Sequence, residues 1–117
     1  MSDYTIYHNP RCSKSRETLA LLEQAGVSPD IIEYLKTPPT AAELKAIVTK
    51  LGIEPQQLVR KGEDVYKSHY AGKTLSAAQW IDALVAHPVL IERPIVIKGK
   101  QAILGRPPEN VKKLLGD

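Results

Sequence analysis

Tyr4-Thr5-Ile6-Tyr7-His8-Asn9-Pro10-Arg11-Cys12-Ser13-Lys14-Ser15-Arg16 is the stretch on which the fold turns. Tyr4 to Tyr7 is a short β-like run. A helical segment follows from Ser13 to about Ala25, with Leu19, Leu22 and Ala25 on the face expected to be buried, and Gly26 stops it as a C′ glycine does. Asp30-Ile31-Ile32-Glu33-Tyr34 then reads as a second strand. A β-α-β unit of this kind predicts two parallel strands joined by a right-handed crossover. Cys12 falls where the first strand gives way to the helix N-terminus. Unpaired N–H groups and the positive end of the helix dipole point there. Such a position lowers a thiol's pKa and also binds oxyanions. The competing reading, a small buried hydrophobe, is common for a lone cysteine. Arg11, Lys14, Arg16 and two serines make this a poor setting for one. Thiolate attack on an anionic substrate is the chemistry the loop predicts.

Working outward, Pro38-Pro39 breaks the chain and Thr40-Ala41-Ala42-Glu43 is a capping box. Leu44, Ile47, Val48 and Leu51 follow at i, i+3, i+4, i+7, and Gly52 ends that helix. Glu54 to Val59 reads as a helical turn, and Arg60 to Thr74 as mostly loop. Ser76-Ala77-Ala78-Gln79 is a second capping box, opening a helix that carries Trp80, Ile81, Leu84 and Val85 inward and stops before Pro88. Ile95-Val96-Ile97 and Gln101-Ala102-Ile103-Leu104 flank Lys98-Gly99-Lys100, a hairpin with a three-residue loop. Pro107 and Pro108 open a last helix through Val111, Leu114 and Leu115. The order predicts an α/β fold, a mixed four-stranded sheet interrupted by a helical subdomain.

The chain has 117 residues, 43% of them hydrophobic, which suits one domain with a real core. Net charge is only +3, with no dense basic run, so nucleic-acid binding has no compositional support. One cysteine excludes an internal disulfide and a multi-cysteine metal site, and a free thiol suits a reducing compartment. His69 and His87 read as structural or exposed, and no metal site is expected. No stretch resembles a signal peptide or a membrane span. The chain reads as soluble and cytoplasmic.

Only five arginines occur, against eleven lysines. Arg60, Arg93 and Arg106 each stand at an element boundary, and a guanidinium fork pairs bidentately with tetrahedral oxyanions. Spacing alone does not gather them around Cys12, and a solvated surface role is the alternative for each. Arg16, inside the helix, reads as a surface charge.

The segment from His8 to Arg16 resembles the active-site segment of the glutaredoxin-linked arsenate reductases. The likeness continues through Tyr34-Leu35-Lys36-Thr37-Pro38-Pro39-Thr40, Leu58-Val59-Arg60-Lys61, His87 to Val96 and Gly105-Arg106-Pro107, covering nearly the whole chain. It implies a thioredoxin-like fold, one domain over 1–117 with a helical insertion at about 40–87. It implies Cys12 as nucleophile, with Arg60, Arg93 and Arg106 on the arsenate or arsenite oxygens. His8 would tune the cysteine, Ser15 would support the thiolate by a hydrogen bond, and Pro94 would be a cis-proline. Arsenate would be the substrate, glutathione the co-substrate and glutaredoxin the partner, with no bound cofactor, no metal, no nucleic acid and no membrane. The ending from Lys98 to Glu109 resembles the shorter branch of the family. Three alternatives stay open: a non-enzymatic thioredoxin-like adaptor, an Spx-type regulator that binds RNA polymerase, and a glutathione-dependent reductase of another substrate. Many Spx-type proteins carry Cys-x-x-Cys, and here the second position is Ser15.

Overall fold

A computed structural model describes residues 3–115, and its contacts divide the chain into two compact units, Met1–Thr37 with Arg93–Asp117, and Pro38–Glu92. The first unit holds the sheet: β1 (Tyr4–His8), β2 (Asp30–Glu33), β3 (Ile95–Lys98) and β4 (Gln101–Leu104), in the order β2-β1-β3-β4. β1 and β2 run parallel with His8 opposite Glu33, whereas β1–β3 and β3–β4 are antiparallel. This is the expected mixed four-stranded sheet. The hairpin is tighter than its sequence suggested. Lys98 pairs with Gln101, so the turn is the two residues Gly99-Lys100.

Between β1 and β2 lies α1 (Ser13–Gln24). It ends in a Schellman motif: Val27 N–H donates to Leu22 O and Gly26 N–H to Glu23 O, with Gly26 at φ +81°. Ala25 is the residue that caps the helix and is exposed, contrary to the expected buried face. The buried positions of α1 are Ser15, Thr18 and Leu22. Its C-terminal half therefore supplies the core, where Leu22 joins Ile6, Val96, Val111 and Leu114. Its N-terminal half turns two hydroxyls inward. The last helix is a 3₁₀ segment, Pro108–Lys113, that buries Val111 and is followed by the buried Leu114.

In the second unit, α2 (Ala41–Leu51) and α4 (Ala77–Ala86) both begin with the predicted capping boxes, at Thr40/Glu43 and Ser76/Gln79. They pack against each other and against a 3₁₀ turn at Pro55–Leu58. Val85 is exposed rather than inward: Trp80, Ile81, Ala83 and Leu84 form the buried stripe, and Val85, four residues after Ile81, lies about 40° past its edge. The expected loop over residues 60–74 contains α3 (Asp64–His69). With six residues and none buried, α3 has no hydrophobic period to read; its acidic start and basic end instead suit the helix dipole. The unit closes with Val59 bridged antiparallel to Ile91, and Arg60 N–H donates to Leu90 O at 2.7 Å. Among the described residues, no helix is long and apolar enough to cross a membrane.

One close approach in the sheet unit is demanding. Gly105 N–H donates to Pro94 O, and a Cβ on Gly105 would lie 2.5 Å from Thr18 Oγ1 and 2.7 Å from Pro94 Cγ. A proline ring and a β-branched side chain bonded to Lys14 O yield poorly. Gly105→Ala should therefore destabilise the protein by about 1–3 kcal/mol. Urea denaturation measures this, and a variant as stable as the parent would show that the end of β4 has room to shift.

Candidate active site

The loop between β1 and α1 is held by bonds at every residue. Asn9 is buried, its N–H donates to Ser15 Oγ at 3.0 Å, and its side-chain oxygen accepts from Arg11 N–H at 3.0 Å. Cys12 N–H donates to Asn9 O at 2.9 Å. Arg16, expected to be a surface charge, is exposed but donates from Nη1 to Pro10 O at 2.9 Å. These bonds set Cys12 at the N-cap of α1, where Ser, Thr, Asp or Asn usually stands.

The half-buried thiol is shifted below its ordinary acidity. Burial alone pushes it up, but the Ser15 amide, the Arg93 guanidinium and the Lys14 amide together favour the thiolate and win. Arg93 answers in kind. Burial pulls its pKa down, while the Tyr34 hydroxyl and Cys12 raise it further, so the guanidinium stays charged beside the sulfur. Arg93 Nε is buried with no hydrogen-bond partner. An N–H so placed favours an incoming acceptor.

His8 and Ser15 form the floor. The rings of His8 and the hydroxyl of Ser15 meet at 2.6 Å through Nδ1, and both residues are buried. The Ser15 hydroxyl is engaged by His8 and Asn9, so the hydrogen bond that Ser15 gives the sulfur comes from its amide. The His8 pKa is depressed, first by burial and also by Arg16, while Glu33 opposes the shift.

Arg106 is exposed and donates from Nη1 to Arg93 O at 3.3 Å, which ties these two arginines together. The Arg93–Pro94 bond is cis, and so is Arg106–Pro107, which sequence reading did not anticipate. Arg60 belongs to the helical unit, where its Nε pairs with Glu63 at 3.4 Å and its Nη1 is buried without a partner. His69 and His87 are in that unit too, ring centres 6.1 Å apart. Among the described residues, no group of three or more His, Cys, Asp or Glu is placed to hold a metal ion. Three residues escaped the sequence reading: Tyr34 acting on Arg93, Arg16 clamping Pro10, and Thr18 donating to Gly105 O. Tyr34 and Thr18 carry no local signal, since only the closed sheet brings them to the site.

A model of the ArsC family matches residues 7–114 of the chain. The arsenate reductase of Haemophilus influenzae is 50% identical over 94% of this chain and 97% of that protein. The uncharacterized protein YfgD of Escherichia coli is 49% identical over 95% of both. Among solved structures, an arsenate reductase from Vibrio cholerae superposes with a TM-score of 0.91 at 49% identity, over 94% of this chain and 95% of that one. The shared fold is thioredoxin-like, with the mixed four-stranded sheet described above.

Two measurements test the electrostatics. The pH profile of Cys12 alkylation should have its midpoint below that of an ordinary thiol, and Arg93→Gln should move it upward; a profile unmoved by the variant would remove Arg93 from the sulfur's surroundings. His8 favours the neutral form in the fold, so its contribution to stability is full above the ordinary 6.5 and is lost as pH falls through the depressed folded value. Denaturation midpoints between about pH 5 and 8 should therefore fall on acidification, and His8→Gln should flatten the slope. An unchanged slope in that variant would assign the loss to other groups.

Proposed function

Since the chain belongs to the ArsC family, we propose that it reduces arsenate to arsenite through the single thiolate of Cys12, with glutathione and glutaredoxin as electron source. The observation that carries this reading is Cys12 beside Arg93, a thiol of lowered pKa next to a guanidinium with one unpartnered N–H. An arsenate oxygen supplies the acceptor that this N–H lacks, and the same charge that favours thiolate offsets the oxyanion.

Cys12 thiolate bonds to arsenic and one arsenate oxygen leaves as water. A glutathione thiolate attacks the Cys12 sulfur, and the sulfur–arsenic electron pair departs with arsenic, which becomes As(III) in arsenite. Cys12 is left as a mixed disulfide. A second thiol, from glutaredoxin, attacks the glutathione sulfur and releases Cys12 thiolate. Two thiols are oxidised to one disulfide for each arsenate reduced. The chain holds one cysteine, so both attacking thiols come from outside. That requirement suits a thiol-rich, reducing compartment such as the cytoplasm. By resemblance Arg60 shares the oxyanion with Arg93 and Arg106, His8 tunes the sulfur and Ser15 supports the thiolate by a hydrogen bond.

Reduction of arsenate with glutathione and glutaredoxin tests the reading. Cys12→Ser should abolish turnover while the fold persists, because a serine hydroxyl is a far weaker nucleophile at neutral pH. Arg60→Lys, Arg93→Lys and Arg106→Lys should each lower kcat/KM roughly ten- to a hundredfold, the loss of a hydrogen bond to a charged group worth about 1.5–3 kcal/mol. A wild-type protein with no activity would favour the adaptor reading. Three lysine variants that behave like wild type would remove the arginines from the anion site.

A further inference from the structure

The thiol loop has a second side. A pocket of about 250 Å³ opens between that loop and the end of β2. One wall is Asn9-Pro10-Arg11, with His8 behind it; the other is Glu33, Leu35 and Lys36. Neither Arg93 nor Arg106 lines it, so it is separate from the arginines assigned to the oxyanion.

We propose that this pocket seats the external thiol, as a peptide-like zwitterion with two carboxylates and one ammonium, the chemistry of glutathione. The proposal rests on the reading above, which requires such a thiol. Its position supports it. His8 and Glu33 are register partners at the carboxyl ends of the two parallel strands, where ligand crevices open in α/β sheets. Arg11 directly precedes Cys12, with consecutive Cα atoms about 3.8 Å apart. Cys12 itself does not line the pocket, so a ligand lying along Asn9 to Arg11 ends beside the residue that precedes the nucleophile and must reach past it with its sulfur. The charges match as well. Arg11 and Lys36 offer two cations for two carboxylates, and Glu33 offers a carboxylate for an ammonium. The Glu33–Lys36 pair, at 3.4 Å, is an exposed i,i+3 contact of the weak kind that readily exchanges partners. Leu35 is 48% exposed, an apolar surface that a bound peptide would cover. The loop wall is preorganised by its bonds from Arg11 N–H to Asn9 Oδ1 and from Arg16 to Pro10 O, so little is lost in ordering it.

S-methylglutathione, whose blocked sulfur cannot react, is the probe. Titrated into the whole protein and followed by amide NMR, it should shift Asn9, Arg11, Glu33 and Lys36 saturably. The double variant Arg11→Gln/Lys36→Gln should bind it about tenfold or more weakly, the loss expected for charge-assisted bonds. The same variant should raise KM for glutathione about tenfold and leave KM for arsenate far less affected. Its defect should shrink when 2-mercaptoethanol, which has no carboxylate, replaces glutathione. Absence of saturable shifts, shifts elsewhere on the surface, or equal affinity in the double variant would overturn the pocket. A rise in KM for arsenate rather than glutathione would do so too, by reassigning these cations to the oxyanion. Probe binding at the pocket without arsenate reduction would keep the thiol site and sink the substrate; arsenate reduction with no probe binding would do the reverse.

Discussion

The fully buried hydroxyl of Ser15 is the constraint on which the site depends. It stands on the first turn of α1 and bridges His8, the last residue of β1, to the amide of Asn9. Strand end, turn and helix start are thereby locked at one oxygen. With that anchor in place, Asn9 can accept from both Arg11 and Cys12, and Cys12 falls at the helix N-cap, within reach of the Ser15 and Lys14 amides. A buried hydroxyl left without partners is costly, so the three residues hold one another. The site's rigidity is thus a matter of polar satisfaction in a place where the core offers little apolar packing.

Charge is arranged on top of this scaffold. Desolvation disfavours thiolate at Cys12 and would dominate in an apolar setting. Two backbone amides and Arg93 reverse the outcome. Tyr34, a fully buried residue just past the end of β2, raises the Arg93 pKa against the pull of burial. The start of α1 and the residue leading into β3 therefore act on the sulfur directly, and Tyr34, just past β2, acts on it through Arg93. That makes the acidity of the thiol a property of the assembled sheet.

Much of this was legible in the chain. The two capping boxes announce α2 and α4 because each is a local exchange of hydrogen bonds between residues three apart. The β-α-β reading follows from Gly26 and the short apolar runs around it, and with it the place of Cys12. What stayed hidden depends on distant contact. Gly105 looks like an ordinary turn glycine until Thr18 and Pro94 close on it. Arg16 looks like a helix-surface charge until Pro10 O presents itself. Resemblance points to Ser15 as a hydrogen-bonding partner of the thiolate; that its amide takes that part while its hydroxyl serves His8 and Asn9 is dictated by the strand–helix geometry. α3 lay below what periodicity can resolve, and Val85 shows how one extra residue carries a side chain past the margin of a buried stripe.

The stabilised thiolate has a consequence for how a catalytic cycle would end. A sulfur whose anion is favoured is a good leaving group as well as an accessible nucleophile. Any mixed disulfide formed on Cys12 is therefore poised to be expelled by the next thiol, returning the anion to the amides of Ser15 and Lys14 and to Arg93. In the cycle proposed above, that would favour the reduced form at rest and make capped sulfur a transient. The amides and guanidinium that prepare the first bond also hasten the departure of the last one.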